Sequence, residues 1–260
     1  MKRISNVLFL FFVLGLCSLG YSQTVTELIA QADKLTTKDF NNQKALDKLF
    51  QADKISKNNW EVMWRISRSY VYLGQELPST NDQQKQAQLV KYQEALNYAN
   101  RAVQLGPDKS VSYLRRAIAN GRIALFKGVF TAIGLVNDVK ADAEKAIHLN
   151  NGEKEVMAAC HYILGRTHAK VCEKSKIVRW PLGLGWGNMD VSLKEFQKAV
   201  DMRPDFKMYH LDYGKALIKE EEWAKAKDQL SKVQYLPKLD EDDDAFVAEA
   251  KSLLEQIKNK

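Results

Sequence analysis

The sequence lacks several features that would assign it to a common functional class. It has no long run of lysine and arginine of the kind that forms a nucleic-acid-binding arm. Beyond residue 20 it has no apolar stretch long enough to cross a bilayer, which takes about 20 residues. The motifs of serine hydrolases, zinc proteases and phosphate-binding loops are also missing. These absences predict a protein that is not an enzyme, does not bind nucleic acid and has no transmembrane segment in its mature chain.

Potential metal ligands are sparse, with 4 histidines and 3 cysteines. His161, His168 and Cys172 fall on one face of a predicted helix, which is one possible ligand set, but no carboxylate completes it. The acidic run at residues 240–244 resembles a calcium loop, yet it lacks the required glycine and final glutamate. We therefore predict no metal and no cofactor.

The first 22 residues have the pattern of a secretory signal peptide. Two basic residues precede an apolar run at residues 7–19, and small residues lie three and one positions before the expected cut. A retained anchor is disfavoured because the run is shorter than the ~20 residues that span a bilayer. A lipid on Cys17 is disfavoured by the large residue before it. We expect cleavage after Ser22, a periplasmic or secreted protein, and a single domain over residues 23–260.

A pattern of small and apolar residues at offsets of 0, 4 and 7 recurs five times. These offsets place three side chains on one stripe of a helix. Successive copies begin 50, 44, 53 and 34 residues apart, and each precedes a proline or polar residue at which a helix would end. The copies are Ala45-Leu49-Ala52, Ala95-Ala99-Ala102, Val139-Ala143-Ala146, Ser192-Phe196-Ala199 and Ala226-Leu230-Val233. The pattern predicts an all-α solenoid of about five helical hairpins, because no single hairpin buries its apolar face alone.

The last copy resembles the tetratricopeptide repeat. Gly214 falls within its first predicted helix, Ala226 follows twelve residues later, and Pro237 ends the unit. The resemblance implies pairs of antiparallel helices, and the segment at residues 245–257 is expected to cap the stack.

Three longer segments make the chain similar to the regulator-of-microtubule-dynamics family. They are EVMWRISR at residues 61–68, YQEALNYA at residues 92–99 and HYILGR at residues 161–166. The similarity covers about residues 25–257. It implies the helical fold, but a protein with a bacterial-type signal peptide would not meet microtubules, so that role is not carried over.

Three connectors are expected between the two helices of a unit: a polar one at residues 75–90 and apolar ones at residues 126–137 and 176–188. Insertions at equivalent points of a solenoid emerge on the same edge. Their aromatic residues are therefore expected to form an apolar connector surface, consisting of Phe126, Phe130, Trp180 and Trp186.

The first helices of stacked repeats line the concave side of a solenoid. Cations collected there would focus positive potential and hold carboxylates through charge-assisted hydrogen bonds. A solvated charged face is the alternative interpretation. Eight residues are predicted to form this peptide-binding groove: Arg65, Ser69, Arg116, Asn120, Arg166, Lys170, Lys215 and Lys219.

These features predict a non-catalytic interaction or scaffolding protein of the cell envelope. Its groove would engage a protein or peptide partner, with an acidic segment as one option. Two alternatives remain: a protein that binds envelope glycans or a lipid surface through the Trp180–Trp186 connector, and an enzyme with an unrecognised site.

Overall fold

A computed structural model describes residues 23–260, so the predicted signal peptide and its cleavage site lie outside the described residues. The regular secondary structure of this part of the chain is α-helical, apart from one π-helical turn. The helices are α1 (Val25–Thr37), α2 (Asn42–Ile55), α3 (Trp60–Glu76), α4 (Asp82–Leu105), α5 (Ser110–Lys127), α6 (Ile133–Leu149), α7 (Lys154–Val171), α8 (Lys176–Arg179), α9 (Met189–Met202), α10 (Lys207–Lys219), α11 (Trp223–Val233) and α12 (Asp243–Gln256). Within residues 23–260 no helix is both long and apolar enough to cross a membrane.

The helices form five antiparallel hairpins, followed by a terminal helix. The hairpins are α1–α2, α3–α4, α5–α6, α7–α9 and α10–α11. Helix α12 packs against both α10 and α11, as expected for a capping helix. The first helix of each hairpin also contacts its neighbours in the stack, so the apolar core continues from one unit to the next.

The predicted repeat stripe is the packing face of each hairpin's second helix. All fifteen stripe residues are at most 4% exposed. Helices approach closely where the stripe meets glycine: a Cβ on Gly165 of α7 would lie 3.1 Å from the Ser192 carbonyl oxygen and 3.2 Å from the Phe196 nitrogen of α9. The Ser192 hydroxyl donates a hydrogen bond of 2.8 Å to the Gly165 carbonyl, which fixes this contact.

The expected long connectors are present only in the fourth hairpin. Helix α4 begins at Asp82, so most of the polar stretch at residues 75–90 is helical. The Asn81 side chain caps α4 by accepting from the Gln84 N–H at 2.9 Å, and the following Gln, Lys and Ala residues favour a helix. The α7–α9 connector at residues 172–188 does stay long, and it contains α8 and the π-helical turn.

Helix α7 explains the state of the two cysteines in the described region. Cys160 is buried within the helix, and Cys172 follows its last residue. Both thiols are free. Burial raises the pKa of the Cys160 thiol to about 12, which makes it a poor nucleophile.

Candidate functional site

The concave side of the stack encloses a groove of about 580 Å³, which we call the central groove. Its walls come mainly from α3, α5, α7 and α10, the first helices of four hairpins. Tyr72, Tyr162 and Tyr209 provide aromatic surface along these walls. Residues 239–242, the last part of the connection between α11 and α12, also line the groove and are called the closing segment.

Charged side chains of both signs line the central groove. Its six cationic side chains slightly outnumber its five acidic ones, and three of the acids belong to the closing segment. The cations are Arg68, Arg115, Arg122, Arg166, Lys170 and Arg203, and the acids are Glu76, Glu155, Asp240, Glu241 and Asp242. The groove is therefore much less basic than the sequence suggested, because the chain supplies its own acids.

Four of the six cations already have partners on the protein. These contacts hold the side chains in place and reduce their capacity for a further anion. The pairs are Arg68 with Asp33 at 2.5 Å, Arg166 with the Tyr162 hydroxyl at 3.0 Å, Lys170 with Glu173 at 2.6 Å and Arg203 with Asp205 at 2.7 Å.

Arg115 and Arg122 of α5 are different. Within residues 23–260 neither guanidinium makes a hydrogen bond or an ion pair, although Arg115 lies 5.2 Å from the centroid of the Trp64 ring. Burial and the neighbouring Arg68 lower the pKa of Arg115 to about 10, and burial and Arg166 lower the pKa of Arg122. Both groups stay charged at neutral pH. A partly desolvated cation without a counter-ion is unfavourable, so an incoming anion would gain free energy here.

Of the eight predicted groove residues, Arg166 and Lys170 line the central groove. Arg65 and Arg116 are instead held by carboxylates of other helices. The Nε of Arg65 donates to both oxygens of Asp33 at 3.0 and 2.9 Å. Arg116 donates to both oxygens of Asp142 at 2.8 and 2.7 Å. These two arginines connect helices, and they are not among the residues that line the central groove.

The other four predicted residues also lie outside the groove lining. Ser69 and Asn120 are buried in the helix packing, Lys215 pairs with Glu249 of α12 at 2.6 Å, and Lys219 donates to the Cys172 carbonyl at 2.6 Å. For Ser69, Arg116 and Asn120 the physical reason is rotational register, because their sequence neighbours Arg68, Arg115 and Gly121 do line the groove. Consecutive residues of an α-helix differ by about 100° in direction, so a one-residue error separates a groove side chain from a packing one.

The sequence did contain a signal for the correct register. Arg115, Ile118, Arg122 and Leu125 fall at offsets of 0, 3, 7 and 10, which is one helical stripe, and all four line the groove. This stripe mixes basic and apolar residues, and the repeat pattern alone does not identify it as the concave face.

The closing segment is attached to the opposite end of the solenoid. The amide of Asn42, in the first turn of α2, donates to Glu76 of α3 at 2.7 Å and to Glu241 at 2.8 Å. Burial raises the pKa of Asp240, while the charge of Arg122 opposes that shift. The chain thus places its own acidic residues beside one of the two unpaired arginines.

The predicted apolar connector surface is divided among three environments. Phe130 and Trp186 pack in one cluster between the third and fourth hairpins, as expected, and the Trp186 indole donates to Asn137 at 2.9 Å. Phe126 belongs to an adjacent cluster. Trp180 is 70% exposed and does not join them, so the two tryptophans do not form one binding face.

The histidines of α7 serve internal contacts. The Nδ1 of His161 lies 2.5 Å from Glu195, and the Nδ1 of His168 accepts a hydrogen bond from the Asn188 N–H at 3.2 Å. Burial raises the pKa of Glu195, but the hydrogen bonds from His161 and Lys198 outweigh burial and lower it overall. Across the described region, no group of three or more His, Cys, Asp or Glu residues is arranged to hold a metal ion.

The sequence profile described as regulator of microtubule dynamics protein 1-3 matches residues 28–258, nearly the whole described chain. The chain belongs to this family. The resemblance seen in the sequence is thereby confirmed. No curated protein sequence matches the chain.

Solved structures confirm the tetratricopeptide-like fold of this family member. A thermophilic TPR protein of Thermus thermophilus, TTC0263, superimposes with a TM-score of 0.63 at 15% identity, over 89% of this chain and 100% of the other. The pilF protein of Pseudomonas aeruginosa gives a TM-score of 0.54 at 9% identity, over 90% and 91% of the two chains. At these identities the similarity establishes the fold alone.

Proposed function

We propose that this protein is a non-catalytic interaction module whose central groove binds an acidic segment of a partner protein. The observation that carries the proposal is the pair Arg115 and Arg122, two charged groups in the groove wall without a partner among the described residues. A carboxylate that reached either one would form charge-assisted hydrogen bonds, which are worth about 1.5–3 kcal/mol each.

The shape of the groove sets the size of the ligand. A volume of about 580 Å³ accommodates a few side chains of an extended segment, and it is too small for a folded domain. Tyr72 and Tyr209 line the same groove and offer apolar surface next to the arginines. An acidic segment that also carries an apolar or aromatic residue fits this combination.

The closing segment supports the same ligand chemistry. Its acidic residues already lie in the groove, so the site accommodates carboxylates within the folded chain. We further propose that the protein works in the bacterial cell envelope, as its signal-like N-terminus suggests, and that it scaffolds a protein partner. The microtubule role in the family's name is not part of this proposal.

The test is a binding measurement on the chain from Gln23 to Lys260, which contains the whole described fold. Fluorescence anisotropy would compare a library of labelled acidic peptides with peptides in which Asp and Glu are replaced by Asn and Gln. The variant Arg115→Ala with Arg122→Ala should weaken acidic-peptide binding by about tenfold or more, as expected for the loss of one or two such contacts. Added salt should weaken binding in the same direction.

The matched control replaces two exposed cations outside the groove, Lys225→Ala with Lys251→Ala, which preserves the change in net charge. This control should bind like the unmodified chain. The proposal would be rejected if the variant with both Arg115 and Arg122 replaced bound acidic peptides as tightly as the unmodified chain does. It would also be rejected if the unmodified chain bound the neutral peptides as tightly as the acidic ones.

A further inference from the structure

The connector between α7 and α9 exposes an unusual amount of apolar surface. We call this set the connector wedge, and its four members lie within six consecutive residues. Their exposed fractions are 86% for Ile177, 52% for Val178, 70% for Trp180 and 38% for Leu182. A soluble protein rarely exposes several large apolar side chains so close together in the chain unless that surface binds something.

The wedge is held in this conformation by its own connector. Arg179, inside the wedge sequence, is only 7% exposed, and its Nη1 donates to the carbonyls of Leu184 and Gly185 at 3.0 and 3.2 Å. Gly183 has φ of +71°, a backbone conformation that favours glycine. A Cβ on Gly187 would lie 2.5 Å from Val171 Cγ1 and 2.8 Å from the Arg179 guanidinium, so a side chain there would force both residues to shift. Arg179 is thus buried within the connector while the apolar side chains on both sides of it are exposed.

A basic depression of about 450 Å³ lies beside the wedge. It is lined by four basic residues, Lys174, Lys176, Arg179 and Lys219, and by one acidic residue, Glu220. The Nε of Arg179 is buried and has no hydrogen-bond partner among the described residues, so Arg179 contributes charge and the lysines supply the exposed donors. This depression has the charge and the donors to receive a phosphate group.

We infer that the connector wedge attaches the protein to the surface of an anionic phospholipid bilayer. Ile177, Val178, Trp180 and Leu182 would enter the boundary between headgroups and acyl chains, and a lipid phosphate would occupy the basic depression. Tryptophan is suited to this boundary because its ring is apolar and its N–H is polar. Neighbouring lysines add attraction to an anionic surface.

A bilayer fits this surface better than a protein does. A stable protein interface buries about 800 Å² on each partner, which is more than a wedge of four side chains offers. A wedge flanked by lysines matches the layered order of a membrane, apolar inside and anionic at the headgroups. The site lies on the α7–α9 connector and is independent of the arginines of the central groove.

The test is vesicle flotation with the chain from Gln23 to Lys260, so that the apolar run at residues 7–19 cannot contribute. Vesicles of phosphatidylcholine alone would be compared with vesicles that contain phosphatidylglycerol in addition. The chain should float with the anionic vesicles and only weakly with the neutral ones. Ile177→Ser with Trp180→Ser should lower the bound fraction about tenfold or more, because two large apolar side chains lose their burial.

Two further variants separate the contributions. Lys174→Glu with Lys176→Glu should abolish the preference for anionic vesicles. Tyr235→Ser is the matched control, since Tyr235 is 81% exposed but lies far along the chain from the wedge, and it should bind as the unmodified chain does. No binding to anionic vesicles, or equal binding by the wedge variant, would overturn the inference. So would a concentration-dependent dimer in gel filtration that the wedge variant abolishes, because a second copy would then be the occupant.

Discussion

Replacing Arg116 with alanine should destabilise the fold and leave the central groove intact. Arg116 on α5 binds both carboxylate oxygens of Asp142 on α6, and Asp142 is 7% exposed. The substitution would leave a buried carboxylate without its counter-ion. The neighbouring substitution Arg115→Ala removes a cation that has no such partner among the described residues, so it should destabilise the fold much less than Arg116→Ala does.

The structure also sets the magnitude. Breaking a fully buried ion pair costs about 3–5 kcal/mol, but Arg116 is 29% exposed, and water can reach the carboxylate once the side chain is removed. We therefore expect Arg116→Ala to lower the free energy of unfolding by about 2–3 kcal/mol. Arg115→Ala should change it by less than about 1 kcal/mol, or raise it, because a desolvated charge is removed.

Urea unfolding followed by circular dichroism at 222 nm measures this difference. The double variant Arg116→Met with Asp142→Leu should recover most of the lost stability, since it removes both charges and keeps apolar volume. Equal unfolding midpoints for the Arg115→Ala and Arg116→Ala variants would refute the assignment of one arginine to the groove and the other to the helix contact.

Three further predictions concern other parts of the molecule. Ala199→Trp should lower the melting temperature, because overpacking the buried site costs about 1–3 kcal/mol or more. Lys194→Trp, on the exposed side of the same helix, should leave the melting temperature unchanged. Equal melting curves for the two variants would contradict the repeat register. Burial and nearby Lys140 lower the pKa of His168, so its NMR titration midpoint should fall below the ordinary value of about 6.5. The contribution of His168 to the free energy of unfolding should decrease as the pH drops below about 6.5, because the folded state resists protonation. A titration midpoint above about 6.5 would refute this prediction. Asn42→Ala should speed hydrogen exchange in the closing segment but not in α6, and unchanged exchange would show that the Asn42 contact does not hold that segment.

The repeat stripe shows what the sequence could determine. Residues such as Ala99, Phe196 and Leu230 recur at helical spacing, and the structure buries every stripe residue. Local spacing was sufficient here because the stripe reflects one helix packing on its neighbour, and that requirement repeats in every hairpin. The helical hairpins follow from this local pattern, whereas the family resemblance depends on the longer segments at residues 61–68, 92–99 and 161–166. The cleavage site and the cellular location stay predictions.

The groove required the tertiary structure. Arg115 and Arg116 are adjacent in the sequence, and the repeat pattern alone does not show which one faces α6 and which one faces the groove. Arg116 faces α6 because its partner Asp142 lies there. The closing segment is held by a hydrogen bond between Asn42 and Glu241, which lie 199 residues apart. The sequence shows how many charged residues a helix face carries, but it does not show which of them form ion pairs. Which of them stay unpaired is decided by the superhelical path of the stack, because that path brings distant carboxylates to some arginines and leaves others without one.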